Sequence, residues 1–160
     1  MKLLDKLIRE TILIPLQATT KEGANQELLT HLQSMDILSA TIKLFENIKK
    51  QEKYFSSSAG RGIAYPHSTS IEIDKLTCVL GISQQGIDYN SPDGHDCHII
   101  LLTLSPVDDP VKHRKFIARF RSMVQNPNIR SNLCESTSSD EILNIIYKWE
   151  EEYSQKDNLV

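Results

Sequence analysis

The chain contains few cysteines, few aromatic residues and no long uninterrupted apolar run. Its three cysteines lie far apart and form no C-x-x-C pair, which argues against a disulfide framework and favours reduced thiols in the cytosol. Apolar residues at the amino terminus are interrupted by Asp5, Lys6, Arg9 and Glu10, so this stretch matches neither a signal peptide nor a membrane span. We therefore expect a cytoplasmic protein without a membrane-inserted segment.

The chain also lacks a strong excess of charge of either sign. Lysine and arginine total 18 against 21 aspartate and glutamate residues, a net charge of −3, so no overall field attracts nucleic acid or an anionic membrane. The predicted helix at 110–125 is locally basic but has no partner helix of a recognition motif. We expect a solvated face and no nucleic-acid partner, with docking to an acidic protein left open. Its basic residues are Lys112, Arg114, Lys115, Arg119 and Arg121.

Length and composition indicate one globular domain. A chain of 160 residues with 39% apolar composition can bury a substantial core, and we assign residues 1–153 to a single domain. Residues 154–160 are mostly polar and are expected to fray as a carboxy-terminal tail.

Apolar periodicity and turn residues predict a mixture of helices and strands. Because the predicted helices can cover both faces of a sheet, we expect an α/β fold, a three-layer α/β/α sandwich with a mixed parallel and antiparallel sheet. The last strand is almost continuously apolar and should be central. The predicted helices are 21–32, a helix capped by Ser39 and ending at Tyr54, 110–125, and one capped by Ser138. The predicted strands are 12–16, 63–66, 76–83, 87–89 and 98–104, and residues 56–62 form a loop.

Two histidines are candidates for chemistry. His67 follows the strand-like run in GIAYPHSTS, and His113 lies in the first turn of the helix that begins at Pro110. Phe116, Ile117 and Phe120 follow His113 on the same face, so His113 should point inward. A helix amino terminus also favours anions. Taken singly, each histidine is more readily explained as a structural residue.

A metal site is a weaker alternative at DGHDCH, where His95, Cys97 and His98 are close in sequence. If this segment enters a strand, His95 and Cys97 share one face while His98 takes the other, so the three cannot converge without a bend. A polar turn without a metal is the preferred interpretation.

Several segments together carry a family resemblance. GIAYPH resembles the G-I-A-[apolar]-P-H signature of the type-2 enzyme IIA domains of the bacterial phosphoenolpyruvate-dependent phosphotransferase system, the fructose, mannitol and nitrogen-regulatory group. DDPVKHRKFIARF resembles the helix that carries the second active-site histidine of that family. LQATTKEGANQELLTHL, QEKYFSSSAGRG and SSDEILNII resemble its first helix, the approach to its active-site strand and its final helix. The resemblance covers nearly the whole chain.

The resemblance implies a role for each site residue. A histidine phosphocarrier protein, or its nitrogen-branch counterpart, would deliver a phosphoryl group to His67, which forms a phosphohistidine intermediate. His113 would donate an N–H to the phosphoryl oxygens, with help from backbone N–H groups near Ser68 and Thr69. Pro66 would stiffen the strand end and aim His67. No metal and no cofactor are implied.

The chain departs from the family pattern at two positions. Gln51 stands where the family usually carries an arginine, and a neutral amide cannot offer a bidentate cation to a phosphoryl group. Ser68 replaces a glycine, which restricts close backbone approach. We hypothesise that Arg61, in the loop before His67, restores the positive charge; the alternative is a solvated loop arginine.

Three functions remain open from the sequence. The favoured one is a nitrogen-regulatory-like phosphotransferase component whose phosphorylation state regulates a downstream protein. The second is a non-catalytic protein-binding module of the same fold, favoured by Gln51. The third is a sugar-specific component for fructose or mannitol transport, whose partner would be a IIB domain.

Overall fold

The computed structural model describes residues 1–159 and shows five helices and six strands in that range. The helices are α1 (Lys21–Ser34), α2 (Ile42–Tyr54), α3 (Pro110–Val124), α4 (Pro127–Glu135) and α5 (Ser139–Asp157). The strands are β1 (Ile12–Leu13), β2 (Ser58–Gly60), β3 (Ile63–Ala64), β4 (His67–Ser70), β5 (Thr77–Ile87) and β6 (Cys97–Pro106). Two short 3₁₀ turns, Leu3–Asp5 and Arg9–Thr11, precede β1.

Strand β6 is the centre of the sheet, as its apolar sequence predicts. The sheet order is β1-β5-β6-β3-β2, and β4 also pairs with β6. The β1–β5, β3–β6 and β4–β6 pairs are parallel, whereas β5–β6 and β2–β3 are antiparallel. Strands β3 and β4 therefore follow one another along the same side of β6, interrupted by Tyr65 and Pro66. The predicted mixed sheet is confirmed.

Helices cover both faces of this sheet, which confirms the three-layer arrangement. Side chains alternate along β6, so Ile99 and Leu101 pack in a core with α3, α4 and α5, while Ile100 and Leu102 pack in a second core with α1 and α2. Each helix thus buries its apolar stripe against one sheet face. Among residues 1–159, no helix has both the length and the apolar composition needed to cross a bilayer.

Local differences from the prediction have identifiable causes. The cap of α2 is Thr41 rather than Ser39, and β5 runs unbroken through residues predicted as two strands. Part of the predicted 56–62 loop forms the short strand β2, because antiparallel pairing with β3 satisfies its backbone.

Helix α4 was not predicted. The Asn126 side chain accepts a hydrogen bond from the Asn128 N–H, and Pro127 occupies the first turn of α4. The residues that end α3 therefore also start α4.

The carboxy-terminal helix is longer than the sequence suggests. Its cap is Ser138, whose side chain accepts a hydrogen bond from the Glu141 N–H, as predicted. It continues through Asp157 and so includes residues 154–157 of the stretch expected to fray. Residue 160 lies outside the described residues.

Candidate functional site

His67 begins β4 at the exposed end of the sheet. It lies in register with Thr103 of β6, and the backbone N–H of Thr103 donates to the carbonyl of Pro66 at 3.1 Å. Strand alternation leaves His67 exposed and turns Ser68 inward. The Nδ1 atom of His67 is 3.4 Å from the carbonyl oxygen of Tyr65, which gives the ring a contact on one side only.

His113 reaches the same place from α3. Its Nε2 atom lies 2.8 Å from the hydroxyl oxygen of Thr103, and its ring centroid is 5.5 Å from that of His67, with the ring planes inclined by 32°. Two imidazoles that are 46 positions apart in sequence therefore face each other directly. Partial burial, and secondarily the neighbouring His67, lower the pKa of His113 from its ordinary value of 6.5. His113 is consequently uncharged at neutral pH.

The histidines open into a cleft of about 550 Å³ between the end of α2 and the start of α3. Its walls are largely apolar, with Ile48 contributed by α2, Ile117 by α3 and Tyr65 by the link between β3 and β4. Tyr54 and Phe55 stand at the rim. Phe55 lies just past the end of α2 and is 83% exposed. A cleft of this size admits a small polar group together with side chains of the molecule that carries it.

The structure brings only some of the predicted supporting residues to the cleft. Gln51 lines it beside His67 and His113. Ser68 is fully buried on the opposite face of the sheet, where its hydroxyl accepts a hydrogen bond of 2.7 Å from the Asn47 side chain. Thr69 is exposed and is not among the residues that line the cleft. Ser68 and Thr69 are therefore part of the pairing of β4 with β6, in register with Leu104 and Ser105, and neither lines the cleft.

Arg61 lies outside the cleft. Its φ of +57° places it in a left-handed turn, and its backbone N–H donates to Oδ2 of Asp93 at 2.8 Å. The residue lines a neighbouring shallow hollow instead, together with Arg121. The turn thus directs Arg61 away from His67 and His113, although Arg61 precedes His67 by only six residues.

Sequence reasoning missed two residues of the site. Thr103 is a threonine within the otherwise apolar run HIILLTL, and that isolated hydroxyl was the available signal. Arg121 lies eight residues after His113, and thus close to the same face of α3, and it lines the cleft. It was grouped with the other basic residues of α3, because periodicity alone does not show which of them meets the cleft.

The residues of DGHDCH do not converge. Cys97 is buried with its Sγ near the hydroxyls of Ser58 and Ser91, whereas the Nδ1 atom of His98 lies 2.8 Å from the carbonyl of Ser83. His95 is exposed. Within residues 1–159, no three His, Cys, Asp or Glu side chains are grouped closely enough to hold a metal.

Curated relatives include both sugar-specific and regulatory proteins. The chain is 28% identical over 146 residues to a protein of Bacillus subtilis named "PTS system fructose-specific EIIABC component", covering 91% of this chain but 23% of the relative. It therefore spans about a quarter of that relative's length. It is 25% identical to a "Nitrogen regulatory protein" of Bradyrhizobium diazoefficiens, covering 91% of this chain and 95% of the relative.

Solved structures share the fold, and a family model matches most of the chain. The nitrogen regulatory protein IIA-Ntr from Neisseria meningitidis superposes with a TM-score of 0.81 at 21% identity, covering 89% of this chain and 97% of that one. The mannitol IIA of Escherichia coli gives a TM-score of 0.75 at 21% identity, covering 88% and 99%. The model of the family described as "Phosphoenolpyruvate-dependent sugar phosphotransferase system, EIIA 2" matches residues 6–149. The chain belongs to this family of type-2 enzyme IIA domains of the phosphotransferase system.

Proposed function

We propose that the protein is a phosphoryl carrier, in which His67 accepts a phosphoryl group from a histidine phosphocarrier protein and passes it on or signals through it. One observation carries this proposal: the exposed ring of His67 faces a second, partly buried imidazole at 5.5 Å across an open cleft. A phosphoryl group needs an aimed nucleophile and fixed hydrogen-bond donors, and the pair supplies one of each.

The proposed step uses the Nε2 atom of His67 as the nucleophile. A hydrogen bond from Nδ1–H to the Tyr65 carbonyl, whose oxygen lies 3.4 Å away, keeps the proton on Nδ1 and the lone pair on Nε2. This lone pair attacks the phosphorus of the donor's phosphohistidine. The donor's N–P bond breaks, its electron pair stays on the donor nitrogen, and that nitrogen takes up a proton from solvent. His67 gains the N–P bond and releases its Nδ1 proton.

His113 is proposed to stabilise the transferring group. Because its pKa is lowered, the ring is uncharged and keeps one N–H. When the Thr103 hydroxyl donates to Nε2 of His113, at 2.8 Å, that N–H is on Nδ1 and is available to a phosphoryl oxygen. The charge of the loose transition state is spread over three oxygens, so an aimed donor contributes most there.

The downstream role is proposed to be regulatory, with sugar transport as the second candidate. The similarity to a nitrogen regulatory protein over 95% of that relative's length supports regulation. The higher identity to a fructose-specific protein supports transport, in which a IIB domain would accept the phosphoryl group. A structure of mannitol IIA in complex with phosphorylated IIB has a TM-score of 0.74 to this chain, so the fold can present its site to such a partner. A protein acting in these relays is expected in the cytoplasm.

Phosphorylation by a purified relay tests the proposal. The protein is incubated with phosphoenolpyruvate, the first enzyme of the system and a histidine phosphocarrier, and the product is examined by intact-mass spectrometry and ³¹P NMR. We expect an acid-labile phosphoryl group on Nε2 of His67 that is absent in His67→Ala and slower to form in His113→Ala. If no carrier labels the wild-type protein, the phosphoryl-carrier role is wrong and the non-catalytic binding module, which neutral Gln51 favours, takes its place.

The two downstream roles can be separated with the labelled protein. Transfer of the label to a fructose or mannitol IIB domain within seconds would support the transport role. A label that persists in the presence of both IIB domains would support regulation. Mixing with a IIB domain whose phosphoacceptor residue is removed gives the matched control, because docking is preserved and transfer is blocked.

A further inference from the structure

Arg121 is the only lysine or arginine among the described residues that lines the cleft of His67 and His113. It lies on α3 about two helical turns beyond His113, with Ile117 between them on the same face. Its side chain is exposed, so its charge is available to anything that enters the cleft.

The guanidinium of Arg121 has no acidic partner. The ion pairs in residues 1–159 are Arg9–Asp140, Lys112–Asp109 and Arg119–Glu150, and none involves Arg121. Its Cζ atom lies over the ring of Tyr65, 5.1 Å from the centroid. An exposed contact of this kind is weaker than a charge-assisted hydrogen bond to an anion, so a phosphoryl group can compete for the guanidinium.

Tyr65 positions the Arg121 guanidinium at the cleft. Its ring is buried and packs edge-on against Phe120, with centroids 6.0 Å apart and planes at 89°. Burial raises the pKa of its hydroxyl to about 12, so the ring carries no charge of its own at neutral pH. The carbonyl of the same residue contacts Nδ1 of His67. Tyr65 therefore contacts Arg121 through its ring and His67 through its backbone carbonyl.

The other residues of the cleft do not supply the positive charge that would balance a phosphoryl group. A phosphoryl group carries between one and two negative charges at neutral pH. His113 is uncharged there, Gln51 is a neutral amide, and Glu52, which also lines the cleft, is acidic. Without Arg121, an incoming phosphoryl group would meet no formal positive charge from a lysine or arginine lining the cleft.

We propose that Arg121 binds the phosphoryl oxygens at His67 and supplies the positive charge that Gln51 does not. The inference rests on the proposed function, because it presupposes a phosphoryl group at His67. The guanidinium leaves the Tyr65 ring and takes two of the oxygens in a bidentate pair, while His113 donates to the third. Arg121 is then a binding residue of the transferring group.

Two measurements test this role, and the first does not require any phosphocarrier. Inorganic phosphate is titrated into the unphosphorylated protein while the imidazole resonances of His67 and His113 are followed by NMR. The second is the rate of carrier-dependent phosphorylation of His67. We expect Arg121→Gln to weaken phosphate binding and to slow phosphorylation by roughly tenfold to a hundredfold, as for loss of one donor to a developing anion. Arg121→Lys should retain part of both.

A rescue and a matched control make the result specific. Gln51→Arg places a guanidinium in the same cleft and should restore phosphate binding and rate in the Arg121→Gln background. Lys115→Gln removes one positive charge from an exposed residue of α3 that lines neither the cleft nor the hollows beside it, and it should leave both measurements at the wild-type level. Thermal unfolding of Arg121→Gln should stay close to that of the wild type, because the side chain is exposed and its contact with the Tyr65 ring is weak.

The outcomes separate this inference from the proposed function. Wild-type values in Arg121→Gln for both measurements, or equal losses in Lys115→Gln, would overturn the role of Arg121. Absence of any label on wild-type His67, together with phosphate binding that depends on Arg121, would overturn the phosphoryl-carrier role and leave Arg121 as an anion-binding residue.

Discussion

The hydroxyl oxygen of Thr103 lies 2.8 Å from Nε2 of His113, inside the most buried strand of the sheet. The same threonine is in register with His67 on the neighbouring strand, so it lies next to His67 along the sheet while its hydroxyl contacts His113. In a parallel pair, side chains in register point to the same face, which directs His67 toward α3. The central strand thus sets the relative placement of the two rings.

Removing that hydroxyl should affect transfer more than stability. Thr103→Val keeps the shape of the side chain but leaves Nε2 of His113 without its partner, so the ring loses its preferred tautomer and orientation. We expect phosphorylation of His67 to slow about tenfold and the free energy of unfolding to fall by about 1 kcal/mol, the usual net value of one hydrogen bond. Stopped-flow phosphorylation and urea unfolding measure the two effects.

Thr103→Ser is the matched control for this change, because it keeps the hydroxyl and deletes a buried methyl group. It should lose comparable stability and keep a near wild-type rate. Equal rate losses in the valine and serine variants would show that packing of β6, rather than the hydrogen bond to His113, sets the rate.

The lowered pKa of His113 makes stability depend on pH. The unfolded chain protonates this imidazole as pH falls through about 6.5, whereas the folded protein does so only at lower pH. The stabilising contribution is therefore fully present above pH 6.5 and is lost as pH falls through the folded-state pKa. The wild-type free energy of unfolding, measured by urea titration, should decline relative to that of His113→Gln over this window.

A difference that stays constant from pH 7.5 to pH 5 would contradict the lowered pKa. His67→Gln tests the second cause of the shift. Since desolvation is the larger cause and His67 the smaller, this variant should raise the pKa of His113 only slightly, as followed by NMR of the His113 ring.

Much of the fold could be predicted because its elements are specified locally. The apolar run of β6, the spaced leucines of α1 and the serine cap of α5 each determine an element without help from distant residues. The interval 56–70 was predicted less well, since β2 and β4 exist only through pairing with other strands. Helix α4 is hard to predict because Asn126-Pro127 ends the pattern of α3, although the same pair is also a favourable helix start.

A sequence motif identifies the two candidate histidines, whereas it does not show which arginine side chains reach the cleft. The sequence signature makes His67 and His113 candidates, and the structure brings them together through the register of His67 with Thr103 and the contact of Thr103 with His113. Arg61 and Arg121 could not be ranked from sequence. Arg61 itself adopts a left-handed backbone conformation and lies outside the cleft. The sequence alone did not single out Arg121, whose place in the cleft is apparent only in the folded chain.

A buried ion pair on the far side of α3 should contribute more to stability than an exposed one. Glu150 is nearly fully buried, accepts hydrogen bonds from the Arg119 guanidinium, and accepts a third from the Leu3 N–H at 2.6 Å. Glu150→Gln leaves the partly buried Arg119 head group without its counter-ion, and we expect a loss of about 2 kcal/mol of unfolding free energy, less than for a fully buried pair. Thermal and urea unfolding provide the measurement.

The exposed pair Arg9–Asp140 gives the comparison for that prediction. Both side chains are more than 60% exposed, at 66% and 64%, although their geometry is bidentate. Asp140→Asn should cost much less stability than Glu150→Gln, since solvent screens the exposed pair. Equal losses in Glu150→Gln and Asp140→Asn would show that burial does not strengthen the Arg119–Glu150 pair.

The aromatic rim of the cleft should act in docking rather than in chemistry. Phe55 is 83% exposed beside the cleft, whereas Ile42, at the opposite end of α2, is 75% exposed and distant from it. An exposed aromatic side chain next to a reactive group is typical of a contact with a protein partner. Phe55→Ser should raise the KM for the phosphorylated carrier by about tenfold, a little over 1 kcal/mol of binding free energy, with kcat and thermal stability unchanged. Ile42→Ser should alter neither kinetic constant. A fall in kcat in Phe55→Ser without a change in KM would instead place Phe55 in the transfer step, for example by excluding water from the cleft.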